Sequence, residues 1–96
     1  MKAAILYGGH DFRIEEIESP KISEDECLIK TAACGVCHSE IHQWEKTDKN
    51  LDYPRFIGHE VSGEILEVGN NVKNFNPGDR VAVWTDGKGY AEEVAA

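Results

Sequence analysis

Two short clusters hold most of the side chains in this chain that can do chemistry. The first is Cys34-Gly35-Val36-Cys37-His38-Ser39-Glu40-Ile41-His42. The second, about twenty residues on, is Gly58-His59-Glu60. Together they offer two thiols, three imidazoles and two carboxylates. Thiolate and imidazole are the ligands that zinc favours, at about 2.0–2.3 Å in a tetrahedron. Cys37 stands just before an expected helix start, where the helix dipole favours negative charge. His59 can approach from a strand entry, with Glu60 as a third ligand or as a partner of the ligands.

Other chemistries compete for the first cluster. Cys34-Gly35-Val36-Cys37-His38 fits the attachment pattern of a c-type haem. Such a protein is exported and often uses Met as a further ligand, whereas Met1 is the only methionine here. A thioredoxin-like redox pair would need Cys34 and Cys37 between a strand and a long helix in a βαβ setting. His38 and His42, four apart, can share a helix face. The metalloprotease pattern wants Glu after the first His, and Ser39 stands there instead. The plainest alternative is a buried Cys37 among surface histidines.

The elements around these clusters read mainly as strands. Lys2 to Tyr7 is an expected strand, Gly8-Gly9-His10-Asp11 a turn, and Phe12 to Ile17 the returning strand. Pro20 to Asp25 reads as a loop. Cys27 to Ala33 is a third strand, with Cys27, Ile29 and Thr31 on one face and Leu28 and Lys30 on the other. His38 to Lys46 lacks Gly and Pro, and Cys37, Ile41 and Trp44 recur at helical spacing, so a short helix is expected with Ser39 near its start. Thr47 to Pro54 is polar and loop-like. Strands resume at Val61 to Val68, Arg80 to Trp84 and Tyr90 to Ala95. Asn76-Pro77-Gly78-Asp79 suits a type II turn, and Asp86 to Gly89 splits the last two strands. Five or six short strands and one small helix predict a mainly β fold, a partly open β-barrel.

Composition narrows the function classes. The chain has 96 residues, enough for one domain and one core. Its folded surface should be roughly 5,500 Å² by mass scaling. Ten basic against 18 acidic residues leave a net charge of −8. That sign opposes nucleic acid and anionic membranes as partners. No apolar run approaches the roughly 20 residues of a membrane span. The apolar stretch after Met1 is too short for a signal peptide, so a cytoplasmic location is expected. Three cysteines without an export signal argue against a disulfide framework.

The second cluster, read onward, resembles a known signature. Gly58-His59-Glu60-Val61-Ser62-Gly63-Glu64-Ile65-Leu66-Glu67-Val68-Gly69-Asn70-Asn71-Val72 is similar to that of the zinc alcohol dehydrogenases. Gly35-Val36-Cys37-His38-Ser39-Glu40-Ile41-His42 resembles the catalytic cysteine segment of that family. Pro77-Gly78-Asp79-Arg80-Val81 and Gly89-Tyr90-Ala91-Glu92-Glu93-Val94 resemble the strands that follow in it, and Met1-Lys2-Ala3 is a common opening. With its landmarks in order over nearly all 96 residues, the chain resembles the GroES-like N-terminal catalytic domain of the medium-chain dehydrogenase/reductase superfamily.

The resemblance implies a function and a role for each residue. The function is that of the catalytic-domain portion of a zinc-dependent alcohol dehydrogenase. It converts an alcohol to an aldehyde or ketone, with hydride passing to NAD(P). Cys37 and His59 would be zinc ligands, and Glu60 the glutamate beside the metal. Ser39 would take the substrate proton and His42 pass it to solvent. His38 would face the coenzyme pyrophosphate, and Trp44 would line the substrate pocket. Glu40 stands where an aspartate usually orients the zinc histidine, one methylene longer.

Some family features are not found in these residues. No Gly-x-Gly-x-x-Gly follows a strand, so the expectation is a single GroES-like domain, residues 1–96, without the NAD(P)-binding Rossmann domain. The third protein zinc ligand is likewise missing, and such a chain should be inactive alone. Only Trp84 to Gly89 stand where many relatives carry a four-cysteine zinc lobe. Cys34 is extra and reads as a strand residue, with recruitment to zinc as the alternative. Two rivals stay open: a non-enzymatic GroES-like binding module with a vestigial site, and a zinc-free quinone reductase relative. The latter usually lacks the Cys and His ligands. Neither substrate identity nor oligomeric state is legible here.

Overall fold

The computed structural model describes residues 1–46 and 49–96, so Thr47 and Asp48 of the expected Thr47–Pro54 loop lie outside the described residues. The elements run β1 (Lys2–Gly8), β2 (Asp11–Glu16), β3 (Cys27–Cys34), α1 (His38–Glu45), β4 (Glu60–Val68), β5 (Arg80–Trp84) and β6 (Glu93–Ala95). β1 and β2 form a hairpin, and the other four strands form a sheet in the order β5-β4-β3-β6, with every pairing antiparallel. The architecture is the mainly β, partly open arrangement with one short helix that the pattern predicts. Among the described residues no helix is long and apolar enough to cross a membrane.

Alternation sets the core. In β4, Val61, Gly63 and Ile65 are buried while Glu60, Ser62 and Glu64 are exposed. In β3, Cys27 and Ile29 point inward and Lys30 outward, on the faces their spacing predicts. These residues and Val94 of β6 make one cluster, with Val68, Val72, Val81 and Val83 packed around it. β1 departs from simple alternation, because Ile5 and Leu6 are both buried. The reason is that β1 has neighbours on both sides. It pairs with β2 and also bridges Ala91 through Ala3 and Arg55 through Leu6.

Boundaries differ modestly from expectation. The last strand covers only Glu93–Ala95, while Ala91 is tied separately to Ala3. The helix ends at Glu45, where Lys46 adopts a left-handed conformation (φ 56°) and its N–H returns to the Gln43 carbonyl. Gly78 has φ +95°, and the Asp79 N–H donates to the Asn76 carbonyl at 3.1 Å, as a type II turn requires.

The accessible surface is 6241 Å² and the principal extents are 42 × 24 × 21 Å. That exceeds the roughly 5,500 Å² of a closed monomer of this mass, and the excess matches an open, elongated barrel. Gly63 faces Thr31 across the β3–β4 ladder, and a Cβ there would come within 2.2 Å of the Lys30 carbonyl oxygen and 2.8 Å of Ile29 Cγ2. Backbone cannot retreat from such a contact without breaking the ladder. Gly63→Ala is therefore expected to lower the free energy of unfolding by about 3 kcal/mol, the upper end of overpacking costs. The exposed neighbour variant Ser62→Ala should stay within about 0.5 kcal/mol of wild type. Urea titration of the two variants checks this; equal midpoints would contradict it.

Candidate metal centre

The register of β3 against β4 brings the two clusters together. Cys34 pairs with Val61, and the Gly35 N–H donates to the Glu60 carbonyl at 2.7 Å. The chain leaving β3 thus runs beside the chain entering β4. Cys37 becomes the N-cap of α1, with extended backbone (φ −92°, ψ 159°), and the helix carries Ser39 and Glu40 in its first turn. The Thr85–Tyr90 segment holds the approach to β4 from the other side. Thr85, Lys88, Gly89 and Tyr90 donate backbone N–H groups to the carbonyls of His59, Phe56, Gly58 and Ile57. Gly58 has φ +96°, and a Cβ there would strike the Tyr90 ring at 2.8 Å. Glycine is needed for both reasons.

Cys37 Sγ, a His59 ring nitrogen and a Glu60 carboxylate oxygen lie within 4.8 Å of one another. The His59 Nε2 to Glu60 Oε1 separation is 3.8 Å. Ligands at about 2.0–2.3 Å around a tetrahedral ion stand roughly 3.3–3.8 Å apart, so the three donors need only a small closure to hold zinc. Their chemistry, thiol with imidazole and carboxylate, also fits that ion. The Glu60 carboxylate rests over Gly35, where a Cβ would come within 2.6 Å of Oε2.

Glu40 organises this group from below. It is only 3% exposed. Its Oε2 lies 2.9 Å from His59 Nδ1 and accepts the Ser39 hydroxyl at 2.6 Å, and its Oε1 accepts the Cys37 N–H at 3.3 Å. The Nδ1 contact places the ring proton on that nitrogen and leaves Nε2 free to bind a metal. The extra methylene relative to aspartate does not break the contact with the histidine.

The remaining predicted site residues are distributed unevenly. His38 and His42 lie on the exposed side of α1 with ring centroids 5.8 Å apart. Trp44 is not beside His59. It stacks on His10 at 4.1 Å and helps line an apolar cavity of about 290 Å³ with Phe12, Val36 and Tyr90. The cavity that does adjoin His59 measures about 360 Å³ and is walled by Ser39, Gln43, Arg55, Phe56, Trp84 and Asp86. Trp84, 72% exposed, sits edge-on to His59 at 5.9 Å. Neither Trp84 nor Arg55 was singled out from sequence, although Trp84 closes the alternating Arg80–Trp84 run on its exposed parity. A larger opening of about 720 Å³ lies between β1, β6 and the Trp84–Lys88 turn and holds none of the three candidate ligands.

Cys34 is not drawn into the donor group. Its Sγ faces the Gly35 carbonyl at 3.6 Å and sits where a Cβ on Gly89 would reach it at 2.9 Å. Burial pushes its thiol pKa above the ordinary 9.0, the nearby Glu40 and Glu60 charges add to the rise, and the hydrogen bond from the Glu60 backbone opposes it. Burial likewise pushes the Tyr90 hydroxyl up to about 12.

Residues 23–95 match the alcohol dehydrogenase GroES-like domain family. Sorbitol dehydrogenase of Bacillus subtilis is 41% identical over 86 residues, 86% of this chain and 24% of that protein. The (R,R)-butanediol dehydrogenase of the same organism is 42% identical, over 86% of this chain and 27% of its own length. The crystal structure of 2R,3R-butanediol dehydrogenase from Bacillus subtilis superposes with a TM-score of 0.83 at 30% identity, covering 98% of this chain and 37% of that one. The chain spans about a quarter of the length of the curated relatives it matches.

The raised Cys34 pKa yields a chemical test. Only the thiolate is alkylated, so in the metal-free protein Cys37 should react with iodoacetamide before Cys34, and buried Cys27 last. The Cys34 rate should still climb between pH 9 and pH 10, because its titration lies above the ordinary 9.0. Peptide mapping of a timed alkylation reads both. A Cys34 rate that levels off below pH 9 would show that burial does not hold the thiol protonated.

Proposed function

Because the chain belongs to the alcohol dehydrogenase GroES-like domain family, we propose that it carries the metal- and substrate-binding part of a zinc- and NAD(P)-dependent alcohol dehydrogenase. The observation that carries this reading is the convergence of Cys37, His59 and Glu60 within 4.8 Å, with Glu40 at 2.9 Å behind His59. When bound, zinc supplies Lewis acidity toward an alcohol oxygen, and NAD(P) supplies the hydride acceptor.

The chain's own residues do the positioning and the proton handling. Glu40 holds the His59 ring in one tautomer and fixes its direction. Ser39 donates its proton to Glu40, so its oxygen lone pairs are free to accept the hydroxyl proton of a substrate. As Ser39 takes up that proton it releases its own, and His42, three residues along α1 and exposed, is the group that would carry the released proton to solvent once the hydroxyl turns from Glu40. His38, on the same exposed side, meets the coenzyme phosphates. No strand in these 96 residues is followed by a Gly-x-Gly-x-x-Gly turn of the dinucleotide-binding kind.

Substrates are small alcohols and their aldehydes or ketones. The relatives named for sorbitol and butanediol act on hydroxyl-rich compounds, and the polar cavity beside His59 suits the same class. Trp84 walls the cavity at His59, and Trp44 lines the apolar cavity that borders Glu40 as well. The net charge of −8 supports no nucleic acid partner. Three free thiols suit a reducing, cytoplasmic setting.

Zinc uptake tests the reading. The purified chain should bind one equivalent of zinc in a chelator competition titration. Cys37→Ser and His59→Ala should each weaken that binding by about 100-fold or more, since each removes a ligand. Glu40→Gln should weaken it by about 10- to 100-fold through the lost orientation of His59. The 96 residues alone should not reduce NAD(P)⁺ with butane-2,3-diol. Equal zinc affinity in wild type and Cys37→Ser would defeat the proposal.

A further inference from the structure

The cavity beside His59 is lined by one guanidinium, Arg55, and by the Glu40 and Asp86 carboxylates, and among the described residues neither carboxylate forms an ion pair with it. Arg55 lines this cavity together with Ser39, Gln43 and His59. Its backbone is pinned by two hydrogen bonds to Leu6, N–H to carbonyl at 2.7 Å and carbonyl to N–H at 3.0 Å. Its Nε donates to Gln43 Oε1 at 2.7 Å, and Nη1 donates to the Asp52 carbonyl at 3.3 Å. Gln43 is itself held, because its Nε2 donates to the Ser39 carbonyl at 3.2 Å and its own carbonyl accepts the Tyr53 hydroxyl at 2.7 Å. The guanidinium is therefore aimed, not loose.

A guanidinium has five N–H donors. Two are used here, both on neutral oxygens. Among the described residues no carboxylate lies within ion-pair distance of Arg55. Asp86, which lines the same cavity, is exposed and is not one of its ion-pair partners. In a chain with 18 acidic and ten basic residues, an arginine that is half-buried, oriented by a glutamine and, among the described residues, without a carboxylate in ion-pair reach is suited to an anionic oxygen from outside. Planar forks of this kind match carboxylate and phosphate oxygens.

We propose that Arg55, oriented by Gln43, is a specificity residue that binds an anionic oxygen at the end of the substrate away from the reacting carbon. The substrate is then an alcohol bearing a carboxylate or a phosphate. This rests on the dehydrogenase reading above and goes beyond it by naming the substrate's second group. The spacing follows from the helix. Ser39 and Gln43 are one turn apart, about 6 Å along the axis. A molecule with a hydroxyl and an anionic oxygen about five bonds apart spans a distance of that order.

Three probes decide the matter by calorimetry on the zinc-loaded chain: 4-hydroxybutanoate, glycerol 3-phosphate and the neutral butane-1,4-diol. Both anions place a charged oxygen about five bonds from a hydroxyl oxygen. Wild type should bind at least one anion about tenfold or more tighter than the diol, as charge-assisted hydrogen bonds allow. The tighter of the two anions identifies carboxylate or phosphate as the group. In Arg55→Gln that preference should vanish, while zinc uptake stays as in wild type. Arg55→Lys should keep part of it, having the charge without the fork. Equal binding of anions and diol by wild type overturns the proposal even should a variant fail to fold, as does an unchanged preference in Arg55→Gln. Loss of zinc uptake with the anion preference intact would count against the dehydrogenase reading and not against this subsite.

Discussion

The register between β3 and β4 is the constraint on which the rest depends. With Cys34 opposite Val61, continuation of the ladder sets the residues just beyond β3 beside those just before β4. Cys37 and His59 meet for that reason. The same register buries Ile29, Val61 and Ile65 together. A slip of one residue would turn these apolar side chains outward and expose the core. Core formation and the convergence of Cys37 with His59 are thus enforced by one pairing, and the candidate metal centre needs no separate folding constraint. Close approach at Gly63 tightens the pairing further, since only a residue without a side chain fits against the Lys30 carbonyl.

Glu40 is the second tie, and it works through burial. A carboxylate removed from water is costly unless its oxygens are well paired. Here all three partners are groups of the site: the His59 ring, the Ser39 hydroxyl and the Cys37 amide. None can move away without leaving the carboxylate undersatisfied in a dry place. One side chain in the first turn of α1 therefore fixes the direction of the His59 ring, the orientation of the Ser39 hydroxyl and the start of the helix. The glutamate's extra length lets it span from the first helical turn to His59 while still reaching back to its own N-cap.

Much of this was legible in the sequence and some was not. Strands announced themselves through alternation, as in Val61–Val68, and the Asn76–Asp79 turn through Pro and Gly. The two chemical clusters stood out by residue type, and their order along the chain carried the family resemblance. What escaped were features set by contacts between distant segments. The periodic Cys37, Ile41 and Trp44 drew attention on α1, yet its one buried side chain is Glu40, because the surface it packs against presents His59. Trp44 turned toward His10 because the β1–β2 turn delivers the His10 N–H to the helix C-terminus, 2.7 Å from the Trp44 carbonyl. Trp84 becomes part of the site only once β5 is known to pair Trp84 with Glu60. Arg55 and Gln43, twelve residues apart, carry no local pattern that marks them as partners.

The centre is dry on one side and wet on the other, and that asymmetry bears on how it works. The Glu40 side chain is 4% exposed, His59 21% and Glu60 53%. Charges on the Glu40 side interact in a low dielectric and are strong, whereas those on the Glu60 side are screened by water. The strong side holds the protein groups in place. Between the two, His59 and Glu40 border the cavity shared by Ser39, Arg55 and Trp84, where an incoming molecule displaces water instead of protein. A substrate that fills this cavity raises the strength of every interaction around it. Trp84 supports the same logic, because an exposed indole beside His59 offers apolar contact without competing for the metal donors. Rigidity is concentrated where the ligands must not move, and solvent is left where the chemistry must enter.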